Sequence, residues 1–124
     1  MLRCLIVDDS ARFLEVARAL LQSDGISVVG TASNGAEALS LVPELRPDVT
    51  LVDIDLGPES GLKLTRLLAD QADGAPTPMM ILISTHSEQD YADLIAASPA
   101  IGFLPKTALS GAAIRGTLDG VGET

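Results

Sequence analysis

Residues 79–83, MMILI, form the most apolar run of the sequence and are typical of a strand that is buried on both faces of a sheet. Four other short apolar runs share this character: Leu2–Val7, Ile26–Ala32, Val49–Ile54 and Ile101–Leu104. Between these runs, apolar residues recur at helical spacing, which predicts helices over 10–24, 36–45, 62–72, 88–97 and 108–118. Strands that alternate with helices in this way predict an α/β fold of (βα)5 type, with a doubly wound, five-stranded parallel sheet.

Length and charge limit the possible functions. The chain has 124 residues, enough for one domain, and we expect residues 1–124 to form it. Its net charge is -9, so direct binding to nucleic-acid phosphates or to an anionic membrane surface is not expected. Cys4 is the single cysteine; we interpret it as a buried apolar residue, and its isolation fits a cytoplasmic protein. The tail Gly120–Thr124 is expected to be frayed.

Polar residues follow the predicted strands at one edge of the sheet. Asp8 and Asp9 follow the first strand, and Asp53 lies at the end of the third. Ser84 ends the fourth strand, and Lys106 follows the fifth. Because the carboxyl ends of parallel strands meet at the same edge, we expect three carboxylates, a hydroxyl and an ammonium group to converge there.

These residue types together favour phosphoryl-transfer chemistry. Three carboxylates held close together repel one another, and a bound divalent cation removes that conflict. Oxygen ligands suit Mg²⁺, which leaves room for a phosphoryl oxygen. Lys106 and the Ser84 hydroxyl can then contact further phosphoryl oxygens, and an aspartate can act as the nucleophile that forms an aspartyl phosphate.

Four motifs carry a resemblance to a known family. They are LIVDDS at 5–10, LVDIDL at 51–56 followed by Gly61, ILIS at 81–84, and GFLPK at 102–106. In this order and spacing the chain resembles the receiver domain of two-component response regulators. That resemblance implies a flavodoxin-like sheet with strand order 2-1-3-4-5. The ending GFLPKTALSGAAI is similar to receivers that carry a C-terminal LuxR-type helix-turn-helix.

The resemblance also implies a metal and phosphorylation site. Asp53 would be the phosphoacceptor, and the phosphodonor would be the phosphohistidine of a sensor histidine kinase. Asp9 and Asp53 would bind Mg²⁺ directly, Asp8 would act mainly through water, and the backbone carbonyl of Asp55 would be the third protein ligand. Such a domain catalyses only its own phosphorylation and dephosphorylation and is not a metabolic enzyme.

A switch is the remaining implication of the resemblance. Lys106 would pair with the phosphoryl group, Ser84 would report its presence, and Phe103 would take the place of the switch aromatic. We expect phosphorylation to change the face formed by residues 88–104, the fourth helix and fifth strand. That face would support a homodimer or contact an output domain beyond the chain end, with DNA binding and transcription as the expected output.

Several departures and alternatives accompany this interpretation. Gly57-Pro58 stands where Pro-Gly is frequent in such domains, so the loop after Asp53 is expected to turn differently. Thr107 follows Lys106, which leaves open whether that peptide bond is cis. His86, the single histidine, is expected to be partly exposed near the pocket. The alternative functions are a haloacid-dehalogenase-type phosphatase with an aspartate nucleophile, and a receiver-like interaction module that is not phosphorylated.

Overall fold

Five strands pair in parallel in the computed structural model, which describes residues 1–86 and 88–121. The strands are β1 (Arg3–Val7), β2 (Ser27–Ala32), β3 (Val49–Asp53), β4 (Met80–Ser84) and β5 (Gly102–Pro105). The helices are α1 (Ala11–Ser23), α2 (Gly35–Leu45), α3 (Gly61–Gln71), α4 (Ala92–Ala96) and α5 (Gly111–Val121). The sheet order is β2-β1-β3-β4-β5, and every neighbouring pair is parallel. This confirms the predicted (βα)5 fold and its strand order.

The core has two halves, one on each side of the sheet. Successive residues of a strand point to opposite faces, so Leu5 packs on the side of α2 and α3 while Ile6 packs on the side of α1 and α5. The same alternation runs along β4, where Leu82 and Ile83 lie on opposite faces and both are fully buried. Cover on both faces explains why the strands are continuously apolar.

The helices that follow the strands begin near one edge of the sheet, and side-chain caps fix where they begin. The Ser10 hydroxyl accepts a hydrogen bond from the backbone N–H of Phe13 at 3.2 Å, which satisfies a free donor in the first turn of α1. Three further helices are capped in the same way, by Asn34 for α2, Ser60 for α3 and Ser110 for α5. In these four helices the cap determines where the preceding loop ends.

The structure adds to or differs from the predicted elements at three places. The helix predicted over 88–97 is divided into a 3-10 turn, Glu88–Asp90, and the short α4, because Tyr91 between them has a ψ of 9° and no side-chain cap. The loop after Asp53 forms a small antiparallel hairpin, which pairs Asp55–Leu56 with Glu59–Ser60 and has Gly57-Pro58 at its tip. Helix α5 continues to Val121, three residues beyond the predicted end at Leu118; the expected fraying of the tail falls mostly on residues 122–124, which lie outside the described residues.

Two further sequence expectations concern burial and the backbone. Cys4 is fully buried, as predicted, and burial raises the pKa of its thiol to about 12. The peptide bond between Lys106 and Thr107 is trans. Among the helices that the structure describes, none has the length and apolar character needed to cross a membrane.

Candidate functional site

Four predicted site residues lie next to one another along the carboxyl edge of the sheet. They are Asp8, Asp53, Ser84 and Lys106. β1 and β3 are paired so that Val7 lies beside Val52, and the register between β3 and β4 places Asp53 beside Ile83. Ser84 is in turn paired with Pro105, directly before Lys106. Because the parallel strands end next to one another, the residues at their ends lie around a common pocket.

Lys106 lies between two of the carboxylates. Its Nζ is 2.6 Å from Asp8 Oδ2 and 3.3 Å from Asp53 Oδ2, and its side chain is only 14% exposed. The same ammonium group lies 4.3 Å from the centre of the Phe13 ring, in a cation–π contact with α1. Phe13 was not singled out in the sequence, because a helical phenylalanine is expected in the core. The lysine thus links β1, β3 and α1 at this edge.

Three carboxylates form a candidate cation site beside the lysine. One oxygen each from Asp8, Asp9 and Asp53 lies within 4.8 Å of the others; Asp8 and Asp53 are buried, whereas Asp9 is exposed. Two backbone N–H groups orient the buried pair: Ser10 donates to Asp8 Oδ1 at 2.8 Å, and Asp55 donates to Asp53 Oδ1 at 3.2 Å. A set of hard oxygen donors with one solvent-facing member fits a divalent cation such as Mg²⁺.

The electrostatics of the pocket follow from burial and like charge. Burial, and then the neighbouring Asp8 carboxylate, raise the pKa of Asp53 from 3.8 to about 6, although Lys106 opposes the rise. Burial alone would lower the pKa of Lys106, but its contacts with Asp8 and Asp53 outweigh that effect and raise it. Lys106 therefore stays charged at neutral pH, while the raised pKa of Asp53 brings its titration closer to neutral pH.

Ser84 and Phe103 make contacts other than the ion pairs of Lys106. The Ser84 hydroxyl is buried and accepts a hydrogen bond from the backbone N–H of His86 at 3.0 Å. Phe103 is half-buried and packs against the core half beside α2 and α3, together with Tyr91. Within residues 1–86 and 88–121, no hydrogen bond joins Ser84 to Asp53 or Lys106.

His86 has an exposed side chain near the pocket, as the sequence predicts, whereas sequence reasoning missed Tyr91 beside it. His86 Nδ1 lies 3.6 Å from Asp55 Oδ2, and both side chains are more than half exposed. The His86 ring meets the Tyr91 ring edge to face, with centroids 5.9 Å apart. Desolvation, followed by the Asp55 carboxylate, raises the pKa of the Tyr91 hydroxyl. Nothing in the local pattern marks Tyr91, because only the packing of α4 brings it to the pocket.

Two glycines let the backbone after Asp53 approach the site closely. Gly57, at the tip of the hairpin, has a φ of +61°, and a Cβ on it would lie 3.2 Å from Asp9 Oδ2. Gly61, at the start of α3, donates its N–H to the Ile54 carbonyl at 2.7 Å. A Cβ on Gly61 would collide with the backbone carbonyl oxygen of Asp53. The hairpin and the start of α3 are therefore packed directly on the acidic pocket.

The chain matches a family model described as "Response regulator receiver domain" over residues 4–115. Among curated proteins it is 36% identical over 109 residues to a protein-glutamate methylesterase/protein-glutamine glutaminase of Anaeromyxobacter dehalogenans, covering 86% of this chain and 31% of that protein. A relative of the same description from Hahella chejuensis is 36% identical over 86 residues, or 69% of this chain and 24% of that protein. The chain thus spans about a quarter to a third of the length of these relatives.

Three solved structures superpose on nearly the whole chain. The signal receiver domain of the response regulator NarL from Mycobacterium tuberculosis superposes with a TM-score of 0.81 at 28% identity, covering 99% of this chain and 98% of that one. The chemotaxis protein CheY4 of Vibrio cholerae gives 0.80 at 26% identity, with 98% of both chains covered. The response regulator domain of Thermotoga maritima CheB gives 0.75 at 26% identity, covering 99% of this chain and 92% of that one.

Proposed function

Because this chain belongs to the response regulator receiver domain family, we propose that it is the phosphorylation-dependent switch of a two-component system, with Asp53 as the phosphoacceptor. The observation that carries this proposal is the ion-pair network: Lys106 contacts both Asp8 and Asp53 beside the exposed carboxylate of Asp9. The network provides a nucleophile, a cation site and a fixed positive charge in one pocket. The expected phosphodonor is the phosphohistidine of a sensor histidine kinase.

Each residue of the pocket has its own role in the proposed transfer of the phosphoryl group. The Asp53 carboxylate attacks phosphorus, so that an O–P bond forms while the N–P bond to the donor imidazole breaks and the imidazole takes up a proton. Asp8, Asp9, Asp53 and the backbone carbonyl of Asp55 would hold Mg²⁺, which when bound neutralises charge on the phosphoryl oxygens. Lys106, already 3.3 Å from Asp53 Oδ2, stabilises another of these oxygens.

The raised pKa of Asp53 is compatible with this role. At about 6 the pKa still leaves the carboxylate mostly ionised at neutral pH, and only the ionised form is a nucleophile. Lys106 is charged under the same conditions, since its pKa is raised. A proton on Asp53 removes the nucleophile, so we expect phosphorylation to weaken as the pH is lowered.

The switch is proposed at the adjacent strand ends. Ser84 is buried at the end of β4, where its hydroxyl proton would be donated to a phosphoryl oxygen on Asp53. A shift of Ser84 would also move the segment after it, because the Ser84 hydroxyl oxygen accepts a hydrogen bond from the backbone N–H of His86. Phe103 packs against the same half of the core as Tyr91, and we propose that the face over 88–104 changes as a result.

Two outputs are proposed for that face. The curated relatives are named as methylesterases, which supports control of a methylesterase output. The tail after Lys106, similar to that of receivers with a LuxR-type helix-turn-helix, supports control of a DNA-binding domain. Homodimerisation through the fourth helix and fifth strand is compatible with either. The reading frame that follows residue 124 in the native gene distinguishes the two outputs.

Intact-mass analysis after incubation with acetyl phosphate and MgCl2 tests the proposal. We expect one phosphoryl group per chain, no labelling of Asp53→Asn, and full labelling of the control Asp70→Asn, which removes an exposed carboxylate of α3. Labelling should disappear in EDTA. Full labelling of Asp53→Asn, or labelling undiminished by EDTA, would contradict the proposal. Steady release of phosphate from phosphate esters would instead favour the phosphatase alternative.

A further inference from the structure

The hairpin after β3 is held over the acidic pocket by contacts outside its own strands. Leu56, in its first strand, is 1% exposed and anchors it in the core, while Gly57 at its tip lies against the Asp9 carboxylate. The hairpin itself is only two residues long on each side, with Asp55 opposite Ser60. A two-stranded ribbon of this size has little stability of its own, so its position depends on what it is packed against.

Glu59, in the second strand of the hairpin, provides one of these contacts across the molecule. Its Oε1 accepts a hydrogen bond from the backbone N–H of Gly35 at 3.2 Å, and Oε2 lies 3.5 Å from the same nitrogen. Gly35 is the first residue of α2, where N–H groups have no partner in the helix and a negative charge is favoured. A Cβ on Gly35 would lie 2.6 Å from Glu59 Oε1, so glycine makes room for the carboxylate.

The start of α2 is itself fixed to the opposite wall of the pocket. The backbone N–H of Asp8 donates to the Ala32 carbonyl at 3.0 Å, and Ala32 ends β2 two residues before the α2 cap, Asn34. Glu59 therefore joins the hairpin to the segment that follows β2, which is bonded to the backbone that carries Asp8. The Glu59 side chain thus adds a connection between the two sides of the carboxylate cluster to the one that Lys106 makes.

We propose that Glu59 is a positioning residue for the cation site: by bonding the start of α2, it holds the hairpin so that the Asp55 carbonyl and the Asp9 carboxylate stay in place for the metal. This inference rests on the function proposed above. It assigns no contact between Glu59 and the metal or the phosphoryl group. Glu59 acts by holding the hairpin in place before the metal binds. Without this contact the hairpin would have to be ordered on binding, and part of the binding free energy would be lost.

A Mg²⁺ titration by calorimetry at fixed ionic strength tests this role with three variants. Glu59→Ala removes the acceptor and is expected to weaken Mg²⁺ binding about fivefold, whereas Glu59→Gln keeps an acceptor oxygen and is expected to stay within about twofold of the wild type. Glu37→Gln is the matched control, because Glu37 also caps the start of α2, through Ser33, but does not touch the hairpin. We expect its Mg²⁺ affinity to be unchanged.

The outcomes separate this inference from the proposed function. Unchanged Mg²⁺ affinity in Glu59→Ala would overturn the positioning role, provided that the wild type binds Mg²⁺ and is labelled at Asp53. Equal weakening in Glu59→Ala and Glu59→Gln would also overturn it, because long-range charge would then set the affinity. A wild type that neither binds Mg²⁺ nor accepts a phosphoryl group would contradict the proposed function itself. Melting temperatures in EDTA show whether each variant is folded.

Discussion

Replacing Asp53 by asparagine should make the protein more stable when no divalent cation is present. The asparagine carbonyl can still accept the Asp55 N–H that now binds Asp53 Oδ1, so the shape of the site is kept. The lost ion pair with Lys106 is the longer of its two, at 3.3 Å, and its 2.6 Å contact with Asp8 remains. What the substitution removes is a buried carboxylate beside another carboxylate.

The magnitude follows from the pKa of Asp53, which is raised from 3.8 to about 6 by burial and by Asp8. Between these two values the folded state binds more protons than the unfolded state, so the free energy of unfolding falls as the pH rises. Below about 3.8 both states are protonated and no penalty exists; above about 6 the full penalty applies. At about 1.4 kcal/mol per pH unit this amounts to at most about 3 kcal/mol.

Urea unfolding followed by circular dichroism in EDTA, from pH 4 to pH 7.5, measures this effect. We expect Asp53→Asn to be about 2 kcal/mol more stable than the wild type at the upper end, equivalent to about 8 °C in Tm in a thermal scan, and within about 0.5 kcal/mol of it at the lower end. Asp70→Asn, an exposed control, should follow the wild type throughout. If Asp53→Asn is the less stable protein at pH 7.5, or keeps the wild-type dependence on pH, the electrostatic reasoning is wrong.

Three further predictions concern neighbouring groups. Gly61→Ala places a Cβ against the Asp53 carbonyl and should lower the free energy of unfolding by about 2 kcal/mol or more in urea; a neutral substitution would show that the backbone yields easily. Lys106→Met leaves the buried Asp8 without its cation and should cost about 3–5 kcal/mol in EDTA, and less with Mg²⁺; an equal loss in both would argue against cation binding here. The Cys4 thiol, with its pKa raised to about 12, should react with a thiol reagent only as fast as the protein unfolds; rapid reaction in native buffer would contradict its burial.

The fold, and the meeting of the site residues at one edge of the sheet, could be predicted because both follow general rules for parallel sheets. Apolar runs such as residues 79–83 mark buried strands, and the carboxyl-edge rule for parallel sheets then brings Asp53 and Lys106 together. Neither step needs the position of any single side chain. Where a rule of this kind applies over several elements, sequence alone is sufficient.

Contacts made by single side chains over long distances could not be predicted. The approach of Tyr91 to His86 depends on the interruption between the 3-10 turn and α4, where apolar spacing alone predicts one continuous helix. Glu59 lies in a segment that reads as a polar loop, and its partner Gly35 is 24 residues away. Such contacts depend on how whole helices and strands pack against one another. The pattern of residues along the sequence does not carry that information.

The need for a cation follows from the charges of the pocket. Three carboxylates, Asp8, Asp9 and Asp53, face one ammonium group, Lys106, and three negative charges against one positive leave a charge of about -2 when all are ionised. A phosphoryl group adds further negative charge, which Lys106 alone cannot balance while it is paired with Asp8. A divalent cation relieves the repulsion that also raises the pKa of Asp53. A proton on Asp53 and a divalent cation in this pocket would therefore compete, so lowering the pH is expected to weaken cation binding.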